Sequence, residues 1–574
     1  VVLSQRGPVA NLAGQGGDIM TYQTITVTLD GGIGTLTLSA NSTGSANALT
    51  VSGVISGSAN LTKAGTGTVT LSGVNTYTGT TYLNEGGFRE AIGSNIVSLG
   101  SGNLNFNGGP NSQAYYETAR NFTRALGTGV GEVQFTGGGG LGGASVGVNA
   151  YGAPINVNLG GAGSTVTWGS ATFNPGIFGL NVGGGSTHAL TFVNPLDLGG
   201  EQRYIRVDGS ASGSERGAIV TMAGDLSNGS VVKRGGGLLV FDAPKTYENG
   251  TIVNVGTLWL RGTGTAGANV TGNDIQIGPD AILKIESPTN IGDRQAIILQ
   301  NNDVNTPAVV TLGSGYGTGA DVRVSSFTAT GSIFGTGGNN ILIANNQSGQ
   351  ARRVAITLSG TNNFQADIPG QIRAVAPNVE AWFGADGGNA TFTGSTLSPT
   401  GGATTSYRFG GHTNNTSLLT IANANVITGA FPLIVGAPDQ TDRNYTDGIL
   451  FLPQSQNYSG QVTIGSGGIL HVGGNGGIST TNNTINMRAG ELRLEFTDGA
   501  YAGTTDTQYG SRILDVQGGN SIIRASALSG GGFNTVTLGG INFPETGTDR
   551  ALEVRTLGGI FTEFRTPTVV MPNA

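Results

Sequence analysis

The chain has 574 residues, of which 103 are glycine and only 11% are charged. This glycine content, together with 37% hydrophobic residues and no Gly-X-Y period, excludes a disordered polymer, collagen and an ordinary set of enzyme domains. A net charge of −7 with scattered basic residues argues against nucleic acid as a partner, and the absence of cysteine excludes disulfides, thiolate zinc sites and cysteine nucleophiles.

The first residues, VVLSQRGPVANLAGQ, contain neither an initiator methionine nor the charged and then apolar pattern of a signal peptide. We therefore expect an exported chain whose N-terminus has been processed. No apolar run approaches the roughly 18 residues that a membrane helix needs, so we also expect no membrane insertion. We take residues 1–25 as an N-terminal arm or a first-coil segment.

Short alternating segments dominate the chain that follows. In order, they include TITVTL, GTLTLS, VTLSG, IQIGPDAILKI and NTVTLGGINF. Alternation of apolar and polar residues is the pattern of β-strands with one buried face. The segments between them are rich in Gly, Asn, Asp, Ser and Thr, which turn the backbone sharply because glycine adopts positive φ without strain. The sequence therefore predicts an all-β fold with many corners.

One pattern occurs three times. Residues 61–88 read LTKAGTGTVTLSGVNTYTGTTYLNEGGF, residues 231–258 align with them without a gap, and residues 448–470 form a third copy. Four positions are apolar in all three copies and are predicted to face the core: Val69, Leu71, Leu83, Phe88, Leu239, Phe241, Val253, Leu258, Leu450, Leu452, Ile464 and Ile469. The repeated glycine, asparagine and tyrosine positions are predicted to form the corners: Gly65, Gly67, Asn75, Tyr77, Gly79, Tyr247, Tyr458 and Gly460.

A strand with one apolar face cannot bury that face alone. A coil of about 20 to 30 residues therefore has to stack on its neighbours at the usual strand spacing of about 4.8 Å. This predicts a β-solenoid with loop insertions, such as GAPDQTDRNYTDG, between some of its coils. We expect the solenoid to end in a C-terminal arm or last-coil segment over residues 556–574.

Residues 61–88 closely resemble the passenger-associated transport repeat, also known as the autotransporter-associated β-helix repeat, of bacterial secreted proteins. Its consensus positions are occupied here by Leu61, Lys63, Gly65, Gly67, Val69, Leu71, Gly73, Asn75, Tyr77, Gly79, Thr81, Leu83 and Gly86. The resemblance implies a right-handed parallel β-helix, which we place continuously over residues 26–555, and export to the cell surface or beyond. It does not imply an activity.

A β-helix is also the scaffold of many polysaccharide lyases and glycosidases, which act through paired carboxylates. The densest carboxylate group lies in one loop and consists of Asp439, Asp442 and Asp447. Aspartate in such a loop commonly forms hydrogen bonds of the turn instead. The histidines are isolated, at no spacing typical of a metal site or a triad: His188, His412 and His471. We therefore predict a non-catalytic protein without metal or cofactor, and keep a polysaccharide-cleaving enzyme as the least favoured alternative.

The tryptophans Trp168, Trp259 and Trp382 could stack on sugar rings if they were exposed in a row. Trp259 follows the core position Leu258, so alternation should point it outward. It is the best candidate of the three for a glycan contact. A covering loop explains a lone outward tryptophan equally well.

The two tips of a stack of coils expose unpaired backbone groups, and such edges pair with whatever strand they meet. Neither end of this sequence contains an amphipathic capping helix, and the last residues, IFTEFRTPTVVMPNA, are apolar and β-prone. We predict an extracellular structural protein whose partner is itself, through head-to-tail or strand-donating contacts that build a surface fibre or filament. The alternative is an adhesin or glycan-binding passenger that contacts a surface polysaccharide or a host glycan.

Overall fold

The computed structural model consists almost entirely of strands, in two compact units, Val1–Asn273 and Asp274–Ala574. The described residues are 9–14, 21–22, 27–29, 35–40, 48–92, 99–110, 112–137, 145–161, 163–183, 188–208, 218–261, 274–278, 281–286, 290, 296–299, 308–312, 322–324, 339–343, 352–358, 363–364, 367–375, 379–402, 404–411, 416–437, 447–473, 484–496, 505–506, 513–527, 534–543, 550–557, 562–565 and 569–570.

The described part of the first unit is built from short strands only. They are β1 (Val9–Gly14), β2 (Thr21–Tyr22), β3 (Val27–Leu29), β4 (Thr35–Ala40), β5 (Ala48–Val51), β6 (Ile55–Gly57), β7 (Asn60–Ala64), β8 (Thr68–Leu71), β9 (Thr81–Leu83), β10 (Gly86–Glu90), β11 (Leu104–Phe106), β12 (Ala114–Thr118), β13 (Phe122–Arg124), β14 (Val133–Phe135), β15 (Val146–Ala150), β16 (Ile155–Leu159), β17 (Val166–Thr167), β18 (Phe178–Leu180), β19 (Leu190–Phe192), β20 (Leu196–Asp197), β21 (Gln202–Arg206), β22 (Ile219–Met222), β23 (Leu226–Ser227), β24 (Ser230–Arg234), β25 (Leu238–Phe241), β26 (Thr251–Val253) and β27 (Gly256–Leu260).

These strands form long parallel sheets in which each strand pairs with one from the next coil. One sheet has the order β1-β4-β7-β9-β11-β14, a second runs from β2 through β5, β8, β10, β12, β15, β18, β21 and β24 to β26, and a third has the order β13-β16-β19-β22-β25-β27. Thr68 lies opposite Gly87 and Phe122 opposite Val157, so the length of a coil varies, with 19 residues in the first case and 35 in the second. The predicted parallel β-helix is confirmed.

The interior of the first unit is filled by columns of side chains that alternate with outward polar residues. In β4, for example, Leu36 and Leu38 are 1% exposed while Thr35 and Thr37 are half-buried. Further along, the columns become aromatic: the ring centroids of Phe106 and Phe135 stack 4.5 Å apart, and Phe178 packs edge-on against its neighbours. Period-two alternation thus produces one continuous apolar core in this unit.

The described part of the second unit has the same architecture with one helix inserted. Its elements are β28 (Ile275–Ile277), β29 (Ala281–Ile285), β30 (Ala296–Leu299), β31 (Ala308–Leu312), β32 (Val322–Val324), β33 (Asn339–Ile343), β34 (Arg352–Leu358), β35 (Asn363–Phe364), α1 (Ile368–Val375), β36 (Val379–Ala385), β37 (Asn389–Phe392), β38 (Tyr407–Phe409), β39 (Leu418–Ile421), β40 (Thr428–Gly429), β41 (Leu433–Val435), β42 (Gly448–Leu452), β43 (Asn457–Tyr458), β44 (Val462–Ile464), β45 (Gly468–Val472), β46 (Thr484–Arg488), β47 (Glu491–Phe496), β48 (Thr505–Asp506), β49 (Ile513–Ala527), β50 (Asn534–Thr537), β51 (Gly540–Asn542), β52 (Arg550–Leu557), β53 (Thr562–Arg565) and β54 (Val569–Val570).

Two parallel ladders run through most of the second unit. One passes through β34, β36, β38, β41, β44, β46 and β49, and the other through β35, β37, β39, β42, β45, β47, β49 and β52. The 15-residue strand β49 belongs to both: Ile513 pairs with β46 and Ile522 with β47. Gly519, with a φ of +60°, lies between these two parts of the strand.

The helix α1 packs against β36, and the alternating sequence pattern does not predict it. Its Ile372 is fully buried. Trp382 of β36 forms a buried cluster with Ile282 and Ala355. Among the described residues, the structure contains no helix with the length and apolar content that crossing a membrane requires.

Candidate functional site

The first repeat copy contributes two strands to each of two successive coils that stack on each other. It supplies β7, β8, β9 and β10, with Leu61 opposite Thr81 and Val69 opposite Phe88. The predicted core residues of all three copies are at most 2% exposed: Val69, Leu71, Leu83, Phe88, Leu239, Phe241, Val253, Leu258, Leu450, Leu452, Ile464 and Ile469. The repeat therefore places its apolar positions against neighbouring coils.

A buried lysine forms the centre of the repeat corner. The Lys63 side chain is fully buried, and its Nζ donates hydrogen bonds to the carbonyl oxygens of Ala64, Gly65 and Glu85 at 2.7, 2.6 and 2.8 Å. All three hydrogens of the ammonium group are thereby used. Because Glu85 follows β9, this lysine joins two successive corners. Sequence reasoning noted Lys63 only as a consensus residue, since lysine is rarely buried.

The second copy repeats this arrangement. Lys233 is fully buried and donates to the carbonyl oxygens of Arg234 and Val255 at 3.3 and 2.8 Å, and also to that of Gly235. Two corners far apart in the sequence thus use the same polar contact. The signal that could have revealed it is the identity of Lys63 and Lys233 on the strand face that also carries the buried Leu61 and Val231.

The two buried lysines make stability depend on pH. Burial lowers the pKa of Lys63 to about 7, which the Glu85 carboxylate partly opposes, and burial also lowers the pKa of Lys233 to about 7. Between about pH 7 and pH 10 the unfolded chain therefore binds more protons than the folded chain, so the free energy of unfolding rises with pH. We expect the denaturant midpoint, followed by circular dichroism, to be higher at pH 9.5 than at pH 7.

The double variant Lys63→Met and Lys233→Met provides the control for this pH effect. Because methionine does not titrate, the variant should show a smaller rise in denaturant midpoint between pH 7 and pH 9.5 than the parent chain. A parent midpoint that stays constant or falls over this range would contradict the prediction, as would an equal rise in the variant.

Glycines close the last corner of each copy. Gly86, Gly256 and Gly467 occupy equivalent positions and have φ values of +71°, +74° and +73°. A Cβ on Gly86 would lie 2.4 Å from the carbonyl oxygens of both Gly65 and Gly67. Neither the dihedral angle nor the space admits a side chain, so glycine is required there.

The other predicted corner residues form hydrogen bonds or close backbone contacts. The Asn75 side-chain oxygen accepts from the Ile55 amide at 2.8 Å, and the Tyr77 hydroxyl lies 2.7 Å from that of Thr81. The equivalent Tyr247 is also fully buried and Tyr458 is 1% exposed. A Cβ added to Gly79 would lie 2.1 Å from the carbonyl oxygen of Ala59. A Cβ added to Gly460 would lie 1.8 Å from that of Phe431.

In the third copy one predicted position is displaced by one residue. Val69 pairs with Phe88 in the first copy, but the equivalent Leu450 pairs with Leu470 and not with Ile469. Successive residues of a strand point to opposite faces, so Ile469 lies on the outer side of β45, although it is buried there. The corner before β45 sets this register, and the sequence alignment cannot resolve a one-residue slip.

The candidate catalytic residues do not form a site in the described part of the chain. Asp439, Asp442 and His412 lie outside the described residues. Asp447 lies against the Gly467 corner, with its Oδ1 1.8 Å from where a Cβ on Gly467 would be. No three His, Asp or Glu side chains among the described residues are arranged to hold a metal ion.

A pocket of about 230 Å³ opens beside β13 in the first unit. Glu90 is the one carboxylate in its lining; this side chain pairs with Arg120 and accepts a 2.5 Å hydrogen bond from Thr118. Glycoside cleavage uses two carboxylates that flank the scissile bond. This pocket therefore lacks the pair that such an enzyme needs.

The three tryptophans occupy different environments. Trp168 and Trp382 are 1% exposed, so neither can stack on a sugar ring. Trp259 is half-buried on the outer side of β27, opposite Val240, and the Arg261 guanidinium lies 5.0 Å from its ring centroid. Its glycan contact stays a prediction.

A column of aromatic and basic side chains crosses five strands of the second unit. The parallel register aligns one residue each from β42, β45, β47, β49 and β52, in the order Phe451, His471, Arg493, Arg524 and Arg555. Leu492 and Leu494 on either side of Arg493 are 1% exposed, so alternation turns the column away from the core. We call Arg493, Arg524 and Arg555 the arginine column.

Two glutamates accompany the arginine column. Glu491 Oε1 lies 2.5 Å from Arg493 Nε and 2.7 Å from Arg524 Nε, while Glu553 accepts two 2.7 Å hydrogen bonds from Arg555. Two carboxylates thus face three guanidinium groups. The arginine side chains are 25%, 18% and 45% exposed in chain order, so solvent reaches all three.

The aromatic end of the column is neutral at physiological pH. The rings of Phe451 and His471 stack with centroids 4.4 Å apart. Burial, with a smaller contribution from Arg493, lowers the pKa of His471 to about 4. From the sequence, His471 is predicted to be an isolated histidine, and the alignment of the three arginines is not predicted. Their common spacing of 31 residues was the available signal.

Comparison with known protein families supports the repeat that the sequence and the structure show. The model of the passenger-associated-transport-repeat family matches residues 61–88 and 231–260, which confirms the resemblance drawn from the sequence. The chain is 27% identical over 384 residues to the "Adhesin BmaC autotransporter" of Brucella suis biovar 1 (strain 1330). This match covers 59% of the chain and 11% of the relative's length. No solved structure matches the chain.

Proposed function

We propose that the chain is a non-catalytic segment of an exported, surface-displayed passenger, in which a rigid β-helix presents its outer faces for adhesion. The observation that carries this proposal is that both matched repeats fold as coils of a parallel β-helix, with the same buried lysine and glycine corner. The similarity to an adhesin autotransporter supports the adhesive role.

The division between inside and outside explains how such a scaffold serves adhesion. The buried side-chain columns, the glycine corners and the lysine contacts fix the backbone. The side chains that alternate with the buried ones along each strand face solvent. Recognition can therefore vary on the outer faces without altering the fold, and function has to be sought in the side chains displayed there.

Attachment of coated beads tests the adhesive role. We expect beads that carry the purified chain to attach to cultured epithelial cells more than beads coated with serum albumin, and soluble chain to compete. Attachment equal to that of albumin beads, or equal attachment of beads coated with heat-unfolded chain, would count against adhesion. External protease should also remove the protein from intact source cells, and protection of the protein there would contradict surface display.

Self-association into a fibre is the second candidate function. A stack of parallel coils leaves unpaired backbone N–H and C=O groups wherever it ends, and such groups pair readily with a further strand. Electron microscopy of the purified chain tests this candidate. Filaments that lengthen with protein concentration would support it, and particles of a single fixed length at all concentrations would refute it.

A further inference from the structure

We propose that the outer face of the second unit binds a linear acidic polysaccharide along the arginine column. This inference rests on the proposed adhesive function and names the class of ligand for it. The carboxylate or sulfate groups of the polymer would bind Arg493, Arg524 and Arg555, and Phe451 with His471 would form an apolar contact for a sugar ring at one end.

Electrostatic repulsion within the arginine column favours an anionic ligand. Like charges on directly neighbouring strands, about 4.8 Å apart, repel and destabilise a sheet. Among the side chains that the structure describes here, Glu491 is shared by two arginines and Glu553 binds the third, so three guanidinium groups face two carboxylates. Since the whole chain carries a net charge of −7, this local excess opposes the overall sign. An anionic ligand would relieve the repulsion.

The regular spacing of the arginine column favours a linear ligand. The three guanidinium groups come from strands in parallel register and recur every 31 residues, so they repeat along one line at the strand spacing. A ligand that matches them must itself carry anions at regular intervals along a chain. Guanidinium groups bind planar carboxylates and sulfates through paired N–H donors. Glu491 contacts Nε of Arg493, and Nε and Nη2 of Arg524.

The chemistry of the column favours a polysaccharide over a nucleic acid. Single-stranded nucleic acids are usually held by several aromatic side chains that stack on successive bases. Here the aromatic residues are confined to one stacked pair, Phe451 and His471. Sugar rings with spaced anionic groups fit this combination better.

Binding to immobilised polymers tests the inference. We expect the full chain to bind polygalacturonate, dextran sulfate or both, but not neutral dextran, and the binding to weaken as salt is raised because exposed ion pairs are screened. A preference between the two acidic polymers would identify whether carboxylate or sulfate is the anion. Equal binding to neutral dextran, or equally strong binding to a DNA duplex, would overturn the proposal.

A matched pair of variants assigns the binding to the column. Arg524→Gln with Arg555→Gln should weaken binding roughly tenfold, as expected for the loss of two exposed ionic contacts. Arg120→Gln with Arg206→Gln changes the net charge equally on the first unit and should have little effect. An equal loss of binding in both variants would overturn the proposal. If the first variant does not fold, the single variant Arg555→Gln replaces it in the same measurement.

The outcome separates this inference from the proposed function. A chain that attaches to cells but binds neither acidic polymer refutes the polysaccharide site and leaves adhesion standing. A chain that binds the polymers through the column but does not attach to cells supports the site and counts against the adhesive role. Melting temperatures of all variants, followed by circular dichroism, establish that they retain the fold.

Discussion

Replacement of Phe178 by alanine is expected to open the core of the first unit locally, at a cost of about 3 to 5 kcal/mol in stability. The Phe178 ring is fully buried and lies 5.1 to 6.0 Å from four other aromatic rings, measured between centroids. These neighbours are Phe135, Phe173, Trp168 and Phe192. Removal of the ring leaves a cavity among large rigid side chains that cannot collapse to fill it.

Hydrogen exchange is the measurement suited to this prediction. In a stack of coils each coil contacts only its neighbours, so a defect loosens a few strands rather than the whole chain. We expect faster amide exchange in β15, β18 and β21, with little change in the second unit. The variant Phe431→Ala is the control. Because this ring is 37% exposed, its removal should cost much less stability than the removal of the Phe178 ring. Similar exchange rates in the two variants would contradict the argument.

Replacement of Gly86 by alanine should have an effect of similar size, for a different reason. The residue has a φ of +71°, and a Cβ there would lie 2.4 Å from two carbonyl oxygens of the preceding coil. The left-handed conformation alone costs roughly 1 to 2 kcal/mol for a residue with a side chain. The collision with backbone atoms adds to it, because backbone cannot rotate away as a flexible side chain can. We expect a loss of about 3 kcal/mol or more.

Gly131 provides a control that isolates the steric part of this effect. Its φ is +74°, nearly the same as that of Gly86, but no atom lies within 4 Å of where a Cβ would be. Gly131→Ala should therefore lose only the conformational part, about 1 to 2 kcal/mol. Urea midpoints compared between the two variants measure the difference. If both variants lose the same stability, the contact between coils has no energetic role at this corner.

The sequence was sufficient to predict the strands and their stacking, because both follow from short-range patterns. The alternation in β4 and the repeated positions Val69, Leu71 and Leu83 require one buried face, and a stack of coils supplies it. Lys63 was not understood, since a charged residue in an apolar pattern is usually solvated. Its role depends on the Glu85 carbonyl, which belongs to the following corner.

Other features depend on the stacking register, which a single sequence does not specify. Leu470 takes the place expected of Ile469 because the corner before β45 is one residue out of step with that of the first copy. The arginine column likewise arises only when coils of unequal length come into register. The helix α1 is an insertion of eight residues and follows no repeat.

The contact of Lys63 with the Glu85 carbonyl, 22 residues further along the chain, has a consequence for the stability of neighbouring coils. A corner formed by β7 and β8 stays incomplete until the next turn of the ribbon has docked on it. The stability of this corner therefore depends on a coil that lies further along the chain, so damage to that coil also weakens the one before it.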